Sequence, residues 1–405
     1  MASRSPLSLF LVALSSLAIL VATLRPAGDT PPGGWSFYLA GGPEAVAELI
    51  QNLLLFMPFG FGLALVWRRR WSLVATGALL SLAVEVIQQW LPGRDPSVGD
   101  ILCNTIGTAL GAALVWTAPR WLAVSPYQAA RRSLAVSAAA AAVWLGTGWL
   151  VQPALPATLY YDHWTPPDYH DWTPYQGRIL SATLGALALQ RRPIGGAGDA
   201  RSLLVAGQPL RIVVEAGPAP RGPAALLVLV DTVQVIGYVA VAGTDLLAVY
   251  RTHAAALYLE QPEVIARGAL AGVEPGDTIT VAVERDPAPG GARLCLSRDD
   301  ARSCGLGYTM GDGWKFIYYP RSFAPWALAT LNALWMAGWT VGVGWWARRH
   351  AATGVGLAVV ALTISLGPRL VGLNPTPVGE VMGAMAGLAV GWLMQRRGRI
   401  YRTRP

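Results

Sequence analysis

Residues 85–111 read EVIQQWLPGRDPSVGDILCNTIGTALG. Two apolar patterns, 72–90 and 100–117, meet at a loop built from Pro92, Gly93, Arg94, Asp95 and Pro96. Pro and Gly at that density punctuate helices. Inside the apolar flanks lie Glu85, Gln88 and Gln89 on one side and Asp100 and Asn104 on the other. Acids and amides in a run long enough to cross a bilayer are costly and mark function by default. The fold therefore turns on whether these runs are membrane spans.

The rest of the chain answers that. Its 405 residues are 53% hydrophobic and only 13% charged, with a mean hydropathy of +0.41. An average soluble domain is about 25% charged. A disordered chain is excluded, and a single soluble enzyme is disfavoured. Apolar runs of about 17–25 residues can cross a bilayer as helices. Eight are read, at 7–24, 46–66, 72–90, 100–117, 133–151, 325–346, 353–370 and 377–394. The first could instead be a signal peptide, but Ala22-Thr23-Leu24 is a poor cleavage site, so an uncleaved anchor is expected.

Charge placement orients the spans. With the N-terminus in the cytoplasm, the inside segments hold 14 arginines, among them Arg68 to Arg70, and no acid. The outside short loops hold Arg25, Arg94 and Arg369. The membrane part carries 17 basic and 7 acidic residues, and the insert at 152–324 carries 14 and 16. The formal +8 of the chain is thus a topology signal, with both termini cytoplasmic and the insert extracytoplasmic. Nucleic acid is not an expected partner, because the basic excess is spread over small loops.

In this orientation the polar residues share one depth near the outer surface. Glu48 and Asn52 are i, i+4 on the second span, Glu85, Gln88 and Gln89 end the third, and Arg94 and Asp95 lie in the loop. Asp100, Asn104, Gly107 and Gly111 recur at helical spacing on the fourth, and Gly107-x-x-x-Gly111 lets another helix approach closely. Pro58 and Gly60 lie inside the second span, where a kink would free carbonyls to line the site. The competing reading is that each polar residue merely faces water or joins two helices. Glu48, Glu85, Asp95 and Asp100 offer hard oxygen ligands, but no spacing rule calls for a cation. Neither metal nor cofactor is expected.

Together Asn52, Phe56-x-Pro58-x-Gly60, Glu85-x-x-Gln88, Arg94-Asp95 and Asp100-x-x-x-Asn104-x-x-Gly107-x-x-x-Gly111 resemble the VanZ-like membrane family. The resemblance covers roughly 1–120. It implies a cell-envelope role near peptidoglycan or its precursors, in a bacterial-type inner membrane, with an influence on glycopeptide-antibiotic sensitivity. A second, decayed copy follows. Val98-Gly99-Asp100-Ile101, Gly107 and Gly111 parallel Val378-Gly379-Glu380-Val381, Gly387 and Gly391 at an offset of 280. Asn104 becomes Ala384, so this copy is expected to pack and do little chemistry; chance likeness of Gly-rich spans is the alternative.

The insert reads as β, with runs at 178–190, 209–216, 224–230, 233–241, 245–251, 255–260, 277–285 and 292–297 separated by turn residues. Gly290-Gly291 marks a hairpin loop. Gly185–Leu189, Leu210–Glu215, Gly276–Glu284 and Ala292–Leu296 resemble strands of the concanavalin A-like (laminin-G-like) jelly roll. Such domains often bind glycans, but the paired carboxylates of the glucanases on that fold are absent. Cys295 and Cys304 are disulfide candidates in an oxidising compartment. Residues 160–172 carry two histidines, several acids and five aromatics. A metal or sugar platform is one reading; an interfacial aromatic belt with linker character is favoured.

The expected fold class is a membrane α-helical bundle of about eight transmembrane helices with an inserted all-β jelly-roll sandwich domain. The boundaries are a VanZ-like four-helix domain at 1–120, a fifth transmembrane helix within 121–151 and the extracytoplasmic jelly roll at 152–324. Three transmembrane helices at 325–394 and a basic cytoplasmic tail at 395–405 follow. The first functional reading is a binding module for a membrane lipid, a lipid-linked precursor or a cell-wall glycan, without catalytic residues. The second is an enzyme on a lipid-linked phosphate with Glu85 or Asp100 as base. The third is a scaffold without ligand. No nucleophile–His pair or phosphate loop occurs in any span, which lowers the enzyme reading.

Overall fold

The computed structural model describes residues 6–400 apart from 28–30, 38, 40, 68, 123, 168–171, 191, 192, 197, 287–292, 321 and 322. The chain forms two compact units. One is Met1–Ser125 with Tyr258–Glu260; the other is Pro126–Leu257 with Gln261–Pro405.

The first unit is helical. It contains α1 (Pro6–Thr23), α2 (Ala45–Val66), α3 (Arg70–Gln88), α4 (Val98–Trp116) and the short α5 (Ala118–Leu122). α4 starts after Ser97, whose hydroxyl accepts from the Gly99 amide at 3.0 Å and so satisfies one of the free N–H groups of the first turn. Pro58 lies within the unbroken span of α2. Ile19, Phe56, Phe59, Leu63, Leu73, Val84 and Ala112 form the apolar core. α2 and α4 lie backbone to backbone: a Cβ at Gly107 would strike the Leu53 carbonyl, at Gly111 the Met57 carbonyl, and at Gly60 the Thr108 carbonyl. In lipid, such close approach over small residues replaces the hydrophobic drive as the source of helix association.

The second unit combines helices with two antiparallel sheets. α6 (Pro126–Leu150) leads into β1 (Tyr161–Trp164), β2 (Arg178–Leu184) and β3 (Leu187–Leu189). Then come α7 (Asp199–Val205), β4 (Leu210–Glu215), β5 (Pro223–Val230), β6 (Val235–Ala242), β7 (Asp245–Tyr250) and α8 (His253–Ala256). β8 (Val264–Ala266), β9 (Thr278–Arg285), β10 (Leu294–Arg298), β11 (Ala301–Leu306) and a 3-10 turn at Met310–Phe316 follow. α9 (Pro325–Trp346), α10 (Ala351–Val371) and α11 (Val378–Ile400) complete it. The sheets run β1-β5-β6-β7-β8 and β11-β10-β9-β4-β2-β3, with every pairing antiparallel. β5 and β6 are buried along nearly their whole length, which explains why they read as continuous apolar runs rather than alternating ones.

Among the described residues seven helices are long and apolar enough to cross a membrane: α1, α2, α3, α4, α6, α10 and Val378–Arg396 of α11. The eighth expected span is helical too, as α9, but is not among the seven. Its tryptophans, its glycines and Asn332 lower its mean hydropathy although it carries no charge.

Two readings of the insert change, and the strand β11 was not read at all. The run at 255–260 is not a strand: His253–Ala256 is a short helix, in keeping with three consecutive alanines. Part of the stretch at 160–172, read as an aromatic belt with linker character, is a strand: Tyr161–Trp164 is β1 and pairs with β5, while Asp168 to Asp171 lie outside the described residues. β11 is an edge strand of largely exposed residues, so it showed no apolar pattern. The Gly290-Gly291 loop also lies outside the described residues, while β9 and β10 on either side of it pair antiparallel.

Candidate functional site

Three helix ends of the first unit build one polar cluster: the start of α2, the end of α3 and the start of α4. Asn52 Nδ2 on α2 donates to Asp100 Oδ1 on α4 at 2.7 Å. The Ser97 amide donates to Glu85 Oε2 on α3 at 2.8 Å, so the carboxylate holds the first turn of α4 in place. One turn deeper, Asn104 Nδ2 donates to the Ser81 hydroxyl at 2.9 Å, and the Thr108 hydroxyl returns to the Asn104 carbonyl. Gln88 Nε2 donates to the Thr23 carbonyl, which ties the end of α3 to the end of α1.

Burial sorts these residues. Glu85, Gln88 and Asn104 are buried, with Ser81 and Thr108 beside them. Asn52, Gln89, Arg94 and Asp100 are half-buried. Glu48 and Asp95 are exposed and stand at the edge of the cluster. The Arg94 guanidinium donates to the Ala22 and Arg25 carbonyls at the end of α1, where a cation suits the carboxyl end of a helix. Gly60, Gly107 and Gly111 serve the α2–α4 contact.

One atom of the cluster is unmatched. Asn104 is 1% exposed, yet its Oδ1 has no hydrogen-bond partner among the described residues. The Ser81 hydroxyl can donate or accept, so turning the amide over only exchanges which of its atoms is left. A buried amide group without a partner costs about 1–3 kcal/mol and calls for an explanation.

Residues 8–120 match the family model described as VanZ/LLP1. The match supports a VanZ-like domain there. Comparison with curated proteins returns no match, and comparison with solved structures returns none either. With seven helices able to span a bilayer, the chain is a multi-pass membrane protein. The matched segment contains the whole cluster, from Thr23 to Thr108. Ser81 and Ser97 of the VanZ-like domain escaped the sequence reading, because a serine in an apolar helix or at its cap shows no periodic signal of its own.

Outside the VanZ-like domain, the second unit holds another buried polar group. Glu380, at the start of α11, is 3% exposed, Asp312 4% and Asn332 9%. Asn332 Nδ2 donates to Glu380 Oε1 at 3.0 Å and to Asp312 Oδ1 at 2.9 Å. Glu380 also accepts from the Thr309 hydroxyl at 2.5 Å and from the Gly311 amide at 3.0 Å. Lys315 Nζ lies 2.5 Å from Asp312 Oδ1. The second copy, expected to pack and do little chemistry, has its acid held by the protein's own groups; only Glu380 was legible there, since Thr309 and Gly311 lie about 70 residues away and Asn332 lies 48 away on α9.

Within the β structure, a cavity of about 90 Å³ lies between the sheets, lined mainly by apolar residues such as Leu210, Leu229, Ile236 and Val283. Cys295 on β10 and Cys304 on β11 form a disulfide. Asp231 accepts from the Val233 and Gln234 amides, both at 2.8 Å. Burial pushes its carboxyl up, but these bonds outweigh that and hold it below the usual carboxylate range. His253 stacks on Trp149 with ring centroids 4.4 Å apart, and His350 accepts from the Ala352 amide at the start of α10.

Proposed function

We propose that the protein is a VanZ-like envelope protein of a bacterial-type inner membrane whose N-terminal cluster binds the head group of an envelope lipid, a lipid-linked peptidoglycan precursor or a glycan. The carrying observation is the unmatched amide atom of Asn104, buried one turn beneath the Asp100–Asn52 pair. Buried polar atoms are usually matched, and an unmatched acceptor lying among the carboxylates and amides of this cluster is where a donor from outside the protein would be held.

The arginine-rich short loops support eight spans, α9 included, with both termini cytoplasmic. The cluster and the β structure then face away from the cytoplasm, where glycopeptide antibiotics and their targets meet. We read the two sheets as a concanavalin A-like jelly roll. Its inter-sheet cavity is lined chiefly by apolar side chains, so glycan contact belongs to its surface rather than to this cavity.

The test is to replace Asp100→Asn and Glu85→Gln and to measure glycopeptide sensitivity and lipid-precursor levels at matched protein abundance. Changed sensitivity supports the reading. Unchanged sensitivity and precursor levels in both variants remove any role for the cluster.

A further inference from the structure

Asn52 and Asp100 are 48 residues apart and hydrogen-bonded. Asn332 and Glu380 are also 48 residues apart and hydrogen-bonded, each lying 280 positions after its counterpart. The helix contact repeats as well. A Cβ at Gly387 would strike the Ala337 carbonyl, at Gly391 the Val341 carbonyl, and at Gly344 the Leu388 carbonyl. These match the contacts of Gly107, Gly111 and Gly60 in kind. The glycines of α4 and α11 correspond at 280, while Leu53 and Met57 correspond to Ala337 and Val341 at 284. The first helix of the second pair is therefore slid by four residues, about one helical turn.

That slide changes the chemistry. Against the backbone contacts, Asn332 falls where Glu48 is and Met336 where Asn52 is, while Ala384 stands for Asn104. Met336 and Ala384 are both buried. The deep polar residues of the first pair are thus apolar in the second, and its polar position has moved toward the helix ends. The surroundings differ too. α3 lies against α4 and supplies Ser81 and Glu85, whereas α10 packs mainly on α6. The acid of the second pair takes its remaining partners from the protein's own Thr309 hydroxyl and Gly311 amide.

We infer that α9 and α11 are a duplicate of α2 and α4 whose binding position is filled in cis by the segment Thr309–Lys315, and that the N-terminal position takes an external group that, like Thr309 and Gly311, donates hydrogen bonds from a hydroxyl or from nitrogen but, unlike that segment with its Lys315-paired Asp312, brings no net negative charge. The inference rests on the proposed binding role of the cluster. Carboxylates at Glu85 and Asp100 are complementary to donors and repel anions. The Arg94 guanidinium, which could have held an anion, caps α1. A donor group reaching past Asp100 would also meet the unmatched amide of Asn104. Two sources offer such donors, the amine of a phosphatidylethanolamine head group and the hydroxyl and amide of an N-acetylated amino sugar.

The test uses the full-length protein with Cys103→Ala, reconstituted in phosphatidylcholine nanodiscs, with Asn104→Cys or Ala384→Cys added. Each is treated with a cationic and an anionic methanethiosulfonate reagent. We expect the cysteine at 104 to react at least about tenfold faster with the cationic reagent, a difference of about 1.4 kcal/mol, and the cysteine at 384 to react with neither. Phosphatidylethanolamine in place of phosphatidylcholine slows labelling at 104 if the donor is a lipid; added N-acetylglucosamine slows it if the donor is a sugar. Equal labelling at 104 and 384, faster reaction with the anionic reagent, or protection by neither probe overturns the inference. Absence of labelling at both 104 and a second reporter, Asn52→Cys, overturns the binding role as well, whereas labelling without protection leaves that role standing.

Discussion

Asn52 and Asp100, on helices α2 and α4, are joined by a 2.7 Å hydrogen bond from Nδ2 to Oδ1. It crosses the tightest helix contact of the first unit, just above the glycines that allow the contact. Interhelical hydrogen bonds in membrane proteins couple by about 0.6 kcal/mol on average and at most about 1.7. A double-mutant cycle of Asn52→Ala and Asp100→Ala, read by unfolding in detergent, should therefore give a coupling of about 1 kcal/mol. A coupling near zero would mean that the pair does not hold the helices.

The glycine contacts predict a sign as well as a size. Gly111→Ala and Gly391→Ala each place a methyl group against a backbone carbonyl of the neighbouring helix. Forcing packed elements apart costs about 1–3 kcal/mol. Gly354, on α10, has open space around the added carbon, and alanine is about 1 kcal/mol better than glycine inside a helix. Gly354→Ala should leave stability unchanged or raise it. Thermal unfolding of the three variants in one detergent checks the order.

The carboxyl of Asp231 gives the β structure a dependence on acid. Its folded-state pKa lies below the ordinary value, so its contribution is fully present above about pH 4 and is lost as pH falls through the lowered value. Hydrogen exchange at the Val233 and Gln234 amides should speed up below that range beyond the intrinsic change in rate. In Asp231→Asn the acid-dependent part should vanish and exchange should be faster at neutral pH.

The disulfide clamps an edge strand. Cys295 and Cys304 enclose a short loop between β10 and β11, for which the loop-entropy account gives about 2–3 kcal/mol. Cys304→Ser with Cys295→Ser should raise hydrogen exchange in Ala301–Leu306 while leaving β4 and β9, in the middle of that sheet, protected. Loss of protection across the whole sheet would contradict a local role.

The helices were legible because lipid demands unbroken apolar runs and because arginine placement is simple to read. All eight expected spans are helices, though the tryptophans and Asn332 give α9 a lower mean hydropathy than the others. Glu85, Asp100 and Asn104 were visible for the same reason, as polar residues where few are tolerated. Their serine partners were not, and neither were Thr309 and Asp312, which reach Glu380 and Asn332 only through the tertiary fold. The β runs with buried apolar faces were found, whereas β1, β8 and β11 are short or polar-faced and the run at 255–260 was an alanine-rich turn of helix.

The most direct measurement of the central claim is the lipid retained by the purified full-length protein, identified by native mass spectrometry, for the unaltered chain and for Asp100→Asn and Glu85→Gln. The account predicts one class of head group carrying hydroxyl or N–H donors, held by the unaltered protein and lost from both variants while the fold is kept. The same lipids at the same occupancy in all three proteins would contradict it.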